Sequence, residues 1–177
     1  MSQVSLQSEN APQASQPLLA QIHKAFGVTP NMFKAVANSP VALQSMWGSF
    51  GALGQGTLGA KLGEQIAVAI ANRNRCEYCL SAHTVLGKNA GASAEEMASA
   101  QVGNSTDRRT AAALSFALEV VEKRGQVAET SVKQLREVGF DDGQVVEIIA
   151  HVALNLFTNY INVALDVPVD FPRVALK

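Results

Sequence analysis

The 177-residue chain is long enough to bury a core, and its 47% hydrophobic and 16% charged residues are typical of a folded globular protein. A formal net charge of -1 without a basic stripe gives no support to nucleic-acid binding. No apolar run approaches the roughly 18 uncharged residues of a membrane-spanning helix, so no membrane partner is expected. Residues 1–16 lack the basic start and apolar stretch of a secretory signal, and we expect a polar, mobile tail there.

From residue 17 onward the pattern of apolar residues and helix breakers predicts one all-α domain, residues 17–177, built as a multi-helix bundle. Ser39 is expected as an N-cap, and Ser93 with Glu96 three residues later forms the pattern of a capping box. No segment alternates with period two between hairpin turns, so no sheet is expected. In chain order, the predicted helices cover residues 18–26, 30–37, 40–53, 60–71, 76–90, 93–102, 106–124, 130–138 and 141–165.

The chain has two cysteines, Cys76 and Cys79, and His83 follows them at helical spacing. At positions i, i+3 and i+7 the two sulfurs and the imidazole can project from one face of a helix. A helix start favours a thiolate, and Arg73 or Arg75 would add to this effect. On these grounds alone Cys76 is the more activated thiol, because it lies nearer the helix start. An imidazole titrates near neutrality, so His83 can take or return a thiol proton.

A single close pair of cysteines cannot staple a secreted scaffold, and the cytosol keeps most thiols reduced. We therefore expect a cytoplasmic protein whose cysteine pair is catalytic or metal-binding. Glu64 lies twelve residues before Cys76, about 18 Å away along a straight helix. Glu64 can join the cysteines only if the chain folds back at residues 72–75; otherwise it is an exposed carboxylate at a helix start.

Zinc binding is the most serious alternative for this cluster, with Cys76, Cys79, His83 and Glu64 as the four possible ligands. Structural zinc sites, however, usually use two separated ligand pairs, and the chain has no second CxxC and no paired histidines. A thioredoxin-type site would need a βαβ unit beside its CxxC. The glycines between residues 48 and 59 match no phosphate-binding loop. We expect neither a metal nor another cofactor at the site.

A polar stripe runs along the last predicted helix, among apolar residues. Its members are Glu147, His151, Asn155, Asn159 and Asn162. The stripe is either a solvent-facing surface or the lining of a site or a subunit contact. In the second interpretation His151 and Asn155 are secondary site-lining candidates. His23 is assigned to the surface.

The spacing of Glu64, eleven intervening residues, Cys76-x-x-Cys79 and x-x-x-His83 resembles the motif of the alkyl hydroperoxidase D-like (AhpD-like) proteins of the carboxymuconolactone decarboxylase superfamily. The segment 155–172, NLFTNYINVALDVPVDFP, resembles the C-terminal part of the peroxidase-related branch. The resemblance implies an all-helical fold, assembly into homo-oligomers such as trimers or hexamers, and reduction of peroxides through a dithiol.

Carried over by position, the resemblance implies that Cys79 attacks the hydroperoxide and that Cys76 then forms a disulfide with it. It implies that His83 and Glu64 form a proton relay, and that an external dithiol, such as a lipoyl-bearing protein, restores the pair. Tyr78 stands where some members have a histidine. A phenol with a pKa near 10 cannot replace that base at neutral pH, so Tyr78 is expected to donate a hydrogen bond to a peroxide or to pack.

We therefore expect an alkyl hydroperoxide reductase-like peroxidase, or more generally a thiol–disulfide oxidoreductase. Two alternatives remain at the level of the sequence. One is a zinc-stabilised helical module. The other is a carboxymuconolactone decarboxylase-like enzyme acting on a small lactone acid, whose activity would survive loss of both cysteines.

Overall fold

A computed structural model of the chain describes residues 2–177, and this part contains nine α-helices and no β-strand, which confirms the predicted all-α class. Met1, where the predicted tail begins, lies outside the described residues. None of the helices described is both long and apolar enough to cross a bilayer. The helices are α1 (Gln16–Phe26), α2 (Asn31–Val36), α3 (Pro40–Leu53), α4 (Ala60–Arg73), α5 (Glu77–Asn89), α6 (Ala94–Gln101), α7 (Arg108–Glu122), α8 (Glu129–Glu137) and α9 (Asp142–Ala164).

Capping side chains determine where most of the helices begin. Ser39 caps α3 by accepting a backbone N–H, and Ser93 and Glu96 form the predicted reciprocal capping box at α6. The predicted cap at Thr130 is wrong, because α8 begins earlier, after Ala128, whose side chain has no acceptor. The sequence therefore predicts correctly the N-caps whose side chains accept a backbone N–H of the same helix, whereas α8 begins without a side-chain cap.

Helix α4 is the central element of the core and packs against α5, α6, α7 and α9. Almost all of its residues from Leu62 to Ala71 are buried, with Ile66, Val68 and Ile70 fully so. Gly63 allows α9 to approach closely, since a Cβ at this position would lie 3.1 Å from Cε1 of His151. The start of α4, which carries Glu64, is thereby placed between α5 and α9.

The N-terminal segment that the sequence marks as a polar tail contacts the helical domain at both of its ends. The backbone N–H of Gln3 donates to the carbonyl of Leu165 at 2.8 Å. Ser15 is fully buried, and its hydroxyl donates to the carbonyl of Ala37 at 2.8 Å. Hydrogen bonds thus connect this segment to the ends of α2 and α9.

The C-terminal strap, residues 167–177, runs back across α5 after α9 has ended before Pro168. The ring of Phe171 packs edge-on against Tyr78, with 5.7 Å between the ring centroids. The backbone N–H of Val174 donates to the hydroxyl of Ser81 at 3.1 Å. The strap therefore covers the side of α5 that carries Tyr78 and Ser81.

Candidate active site

The chain folds back between α4 and α5, as a contribution from Glu64 requires. Arg75 adopts a left-handed backbone conformation with φ of +57°, and the N–H of Cys76 donates to the carbonyl of Ala71 at 2.9 Å. Asn74 in the same turn donates its side-chain amide to Asn159 of α9 at 3.0 Å. The turn sends α5 back alongside α4, so Glu64 and His83 meet despite being 19 residues apart.

Glu64 and His83 form a close hydrogen-bonded pair, with 2.7 Å between Oε2 and Nδ1. Both side chains are mostly buried. An ionised carboxylate only accepts hydrogen bonds, so in this pair Nδ1 carries the proton. The other ring nitrogen, Nε2, is then left to exchange a proton with a neighbouring group.

Cys76 and Cys79 are paired as a disulfide, with Cα atoms 5.4 Å apart. Cys76 is the N-cap of α5, and its Sγ accepts the backbone N–H of Cys79 at 3.2 Å. The two residues are only 1% and 2% exposed, respectively. The redox-capable sulfurs therefore lie inside the protein, at the start of a helix as the spacing predicts.

The expectation that Arg73 or Arg75 helps to stabilise a cysteine thiolate is wrong. Arg73 forms an ion pair with Glu122 of α7. Arg75 donates to the carbonyl of Lys177 at the C-terminus, at 3.1 Å. Both guanidinium groups are thus held by partners other than the cysteines, because the turn that brings α5 back points them to the surface.

The solvent-facing interpretation of the polar stripe on α9 is also wrong. Asn155, Asn159 and Asn162 are buried, and Glu147 and His151 are partly buried. The exposed side of α9 instead carries large apolar side chains: Val146, Ile149, Tyr160 and Val163. The helix therefore presents its polar side to the interior, where α4 and α5 carry the candidate catalytic residues.

Asn162 of the stripe contacts one of the two sulfurs. Its amide Nδ2 donates to Sγ of Cys79 at 3.2 Å, and its buried Oδ1 has no hydrogen-bond partner among residues 2–177. The two residues are 83 positions apart, so no local spacing could predict the contact. In the sequence, Asn162 is marked by its place in the stripe and in the segment 155–172 that carries the C-terminal resemblance.

His151 and Asn155 lie beside the Glu64–His83 pair, as the second interpretation of the stripe expects. The Asn155 amide donates to the carbonyl of His151 at 2.9 Å. Burial lowers the pKa of the His151 imidazole below its usual value; Glu64 and Glu147 oppose that shift, and His83 adds to it. The His151 imidazole is therefore neutral at pH 7.

Tyr78 has its hydroxyl engaged within the fold. The phenol oxygen accepts the backbone N–H of Met32 at 3.1 Å. Burial raises the pKa of the phenol above its usual value, and the charge of nearby Asp170 raises it further. Together with its ring contact to Phe171, this position favours packing over a direct role in proton transfer.

Two cavities meet at His83. The larger one, about 150 Å³, is lined by Glu64, His83 and His151 among others. The smaller one, about 40 Å³, is lined by Cys79 and mainly by apolar and aromatic side chains. Three residues line both: Phe50, His83 and Thr158. The imidazole of His83 thus lies between the cavity that Glu64 and His151 line and the space beside the Cys79 sulfur.

The zinc alternative does not fit this geometry. Within residues 2–177, no group of three or more His, Cys, Asp or Glu side chains is arranged to hold a metal ion. Cys76 and Cys79 are bonded to each other, and His83 is bonded to Glu64. His23, at the end of α1, is exposed, as predicted, and its Nδ1 lies 3.3 Å from the hydroxyl of Thr29.

Solved structures of similar fold cover almost the whole chain. The structure of a peroxidase-related protein from Ralstonia eutropha JMP134, described as an alkylhydroperoxidase AhpD core, is 24% identical, with a TM-score of 0.87 over 96% of this chain and 92% of that one. A peroxidase-related protein from Silicibacter sp. TM1040 is 22% identical, with a TM-score of 0.83 over 98% and 92%. The debrominase Bmp8, solved with 2,3,4-tribromopyrrole, is 20% identical, with a TM-score of 0.80 over 96% and 94%.

The sequence comparison finds a family match for the central segment. No curated protein matches the chain. Residues 42–123 match the model of the carboxymuconolactone decarboxylase family, and this segment contains Glu64, Cys76, Cys79 and His83. The chain therefore matches the carboxymuconolactone decarboxylase family over residues 42–123 and has an all-helical fold similar to that of the AhpD core structure.

Proposed function

We propose that this protein is a peroxidase and thiol–disulfide oxidoreductase that reduces hydroperoxides through Cys76 and Cys79. The observation that carries the proposal is the placement of a buried CxxC disulfide beside a hydrogen-bonded histidine–carboxylate pair. Such a combination supplies both a two-electron donor and a group that handles its protons.

In the proposed cycle the Cys79 thiolate attacks the terminal oxygen of a hydroperoxide, ROOH. The O–O bond breaks, Cys79 becomes a sulfenic acid, and the alkoxide leaves as the alcohol ROH after taking a proton from His83. The Cys76 thiol then attacks the Cys79 sulfur, forming the disulfide and releasing water. An external dithiol reduces the disulfide by thiol–disulfide exchange and is itself oxidised.

The proton relay rests on the position of His83 between the two cavities. The imidazole accepts the Cys79 proton and later returns it to the leaving alkoxide, so its net protonation is unchanged over the first step. Glu64 holds Nδ1 and stabilises the imidazolium that forms during the transfer. Glu64 therefore acts as a positioning residue for His83.

The surroundings of the cysteines bear on substrate and partner. The apolar lining of the smaller cavity favours a small organic hydroperoxide over a highly polar one. Since both sulfurs are almost fully buried, we propose a slender donor such as the dithiol of a lipoyl-bearing protein. Cytoplasmic location and homo-oligomeric assembly, as trimer or hexamer, belong to the same proposal.

A second candidate function is a carboxymuconolactone decarboxylase-like reaction on a small lactone acid. The observation that favours it is the larger cavity, where Glu64, His83 and His151 form a set of acid–base groups that needs no sulfur. Activity of this kind would persist when both cysteines are replaced by serine. The two candidates thus differ in their dependence on Cys79.

The test is the rate of consumption of cumene hydroperoxide with dihydrolipoamide as reductant. We expect Cys79→Ser to reduce the rate to background, and Cys76→Ser to give one turnover that ends at a trappable sulfenic acid. His83→Gln is expected to lower the rate by roughly 10²-fold or more, the usual contribution of a general acid–base. His23→Gln is the matched control and should not change it. Full activity in Cys79→Ser would rule the proposal out.

A further inference from the structure

The two cysteine sulfurs at the start of α5 accept hydrogen bonds from different donors. Cys76 is the N-cap, and its sulfur receives the backbone N–H of Cys79. The N–H that the helix start offers at this point is therefore used by Cys76. Cys79 lies within the first turn, and the observed hydrogen bond to its sulfur comes from another element.

That donor comes from α9. We propose that Asn162 is a further catalytic residue, whose amide N–H stabilises the Cys79 thiolate and so selects Cys79 over Cys76 as the attacking sulfur. The assignment of attack to Cys79 rests on the proposed function, whereas the stabilisation of its thiolate can be measured without it. The Nδ2–Sγ distance of 3.2 Å is that of an N–H···S hydrogen bond.

While the disulfide is closed, the N–H of the Asn162 amide donates to a sulfur that is a weak hydrogen-bond acceptor. A disulfide sulfur is a weak acceptor, whereas a thiolate carries a full charge and accepts a much stronger hydrogen bond. The side chain is only 3% exposed, and in the described part of the chain its Oδ1 has no hydrogen-bond partner. Hydrogen bonding at this position therefore favours the reduced, ionised pair over the disulfide, which makes the disulfide more oxidising.

The other charged or titratable groups near Cys79 do not offer the same contact. On α5, His83 and Tyr78 line the same cavity. Nδ1 of His83 is hydrogen-bonded to Glu64 of α4, and its Nε2 exchanges a proton with Cys79 in the proposed cycle. The Tyr78 hydroxyl accepts the N–H of Met32 and is hydrogen-bonded to Asp170. The strap contributes Asp170, a carboxylate next to Tyr78, which would disfavour a thiolate. Within residues 2–177, the hydrogen bond to Sγ of Cys79 comes from the neutral amide of Asn162.

The experiment measures the Cys79 pKa from the ultraviolet absorbance of the thiolate, in a Cys76→Ser background where only one cysteine titrates. We expect Asn162→Leu to raise the pKa by about one unit, a tenfold fall in thiolate fraction below it. Asn162→Asp should raise it further, because a carboxylate replaces the donor. Val152→Ala, a buried substitution ten residues earlier on the same helix, is the matched control and should leave the pKa unchanged.

A second measurement needs no change at Asn162. In otherwise unaltered single-cysteine variants, the pKa of Cys79 in Cys76→Ser should be lower than that of Cys76 in Cys79→Ser. The reverse order, or an unchanged Cys79 pKa in folded Asn162→Leu and Asn162→Asp, would overturn the inference. Neither measurement uses peroxide, so an inactive wild-type protein would remove the proposed function and leave this result intact.

Discussion

Residues beside the cysteines divide into those that stabilise the fold and those that can handle protons. Tyr78 belongs to the first group. It completes the start of α2, where Pro30 precedes the helix and provides no side-chain cap, by accepting the N–H of Met32. Its proximity to Cys79 in sequence thus reflects packing of α5 against α2 and the strap.

Tyr78→Phe is accordingly expected to lower stability more than activity. The change leaves a buried backbone N–H without its acceptor, which costs about 1–3 kcal/mol. Urea unfolding should show this loss, while the peroxide rate per folded molecule stays within about threefold of wild type. A large rate loss at unchanged stability would instead place the hydroxyl on the substrate.

His151 provides a prediction about pH. Its pKa in the folded state is lowered from an ordinary value of 6.5, first by burial. As the pH falls below 6.5, the imidazole is protonated in the unfolded chain to a greater extent than in the folded protein. The free energy of unfolding therefore decreases as the pH falls. Between about pH 7.5 and pH 5, the free energy of unfolding should fall more steeply in wild type than in His151→Gln. Equal slopes in urea titrations of the two proteins would contradict this.

At the scale of elements, the sequence predicts the helices well because caps and breakers act locally. The α4–α5 return also follows from a visible break at residues 72–75. The inward orientation of the α9 stripe does not, since a polar row among apolar residues is compatible with facing either water or a polar interior. Long-range contacts, such as the packing of Gly63 against His151 and the hydrogen bond of Asn162 to Cys79, settle which way α9 faces.

The loop between α3 and α4 is held by Glu147 of α9. Its carboxylate accepts the backbone N–H groups of Thr57 and Leu58 at 2.8 and 3.1 Å, and the hydroxyl of Thr57 at 3.1 Å. Glycines of this loop line the larger cavity: Gly54, Gly56 and Gly59. Glu147 therefore fixes one wall of the space that contains His83 and His151.

Glu147→Gln should loosen that wall. A neutral amide accepts weaker hydrogen bonds than a carboxylate, and for this partly exposed group we expect a loss of about 1 kcal/mol. Hydrogen exchange followed by mass spectrometry should show faster exchange at residues 54–59. Glu137→Gln, an exposed change on α8, is the control. Unchanged exchange in the loop would show that Glu147 does not hold it.

At the scale of the whole molecule, the outer side of α9 is the counterpart of its inward polar stripe. Val146, Ile149, Tyr160 and Val163 lie exposed along this side of the helix. Large exposed apolar side chains grouped on one helix face are unusual for a surface that stays in water. This face supports the proposed homo-oligomer, in which a second copy of the chain covers it.

The prediction is that wild-type protein is oligomeric by light scattering and that Val146→Glu with Val163→Glu shifts it toward the monomer. A charge buried in an apolar contact is strongly unfavourable. Val41→Glu alters an equally exposed valine on α3 and is the control. A monomeric wild-type protein, or an unchanged mass in the double variant, would contradict the assignment of this face.

At the candidate site, the grouping of the cysteines, the histidine and the carboxylate is predictable, because their spacing places them on one helix and across one turn. The contact between Asn162 and Cys79 was not, because it joins elements 83 residues apart. The partners of Arg73 and Arg75 were not predictable either, because they depend on where Glu122 and the C-terminus lie. Long-range packing decides these contacts, and no local pattern encodes it.

The most direct test of the central claim is a thiol titration with intact mass measurement, before and after one equivalent of cumene hydroperoxide. Reduced protein should lose both thiols and about two mass units, as closure of the Cys76–Cys79 disulfide requires. Two thiols that persist, with an unchanged mass, would contradict the redox function proposed for this pair.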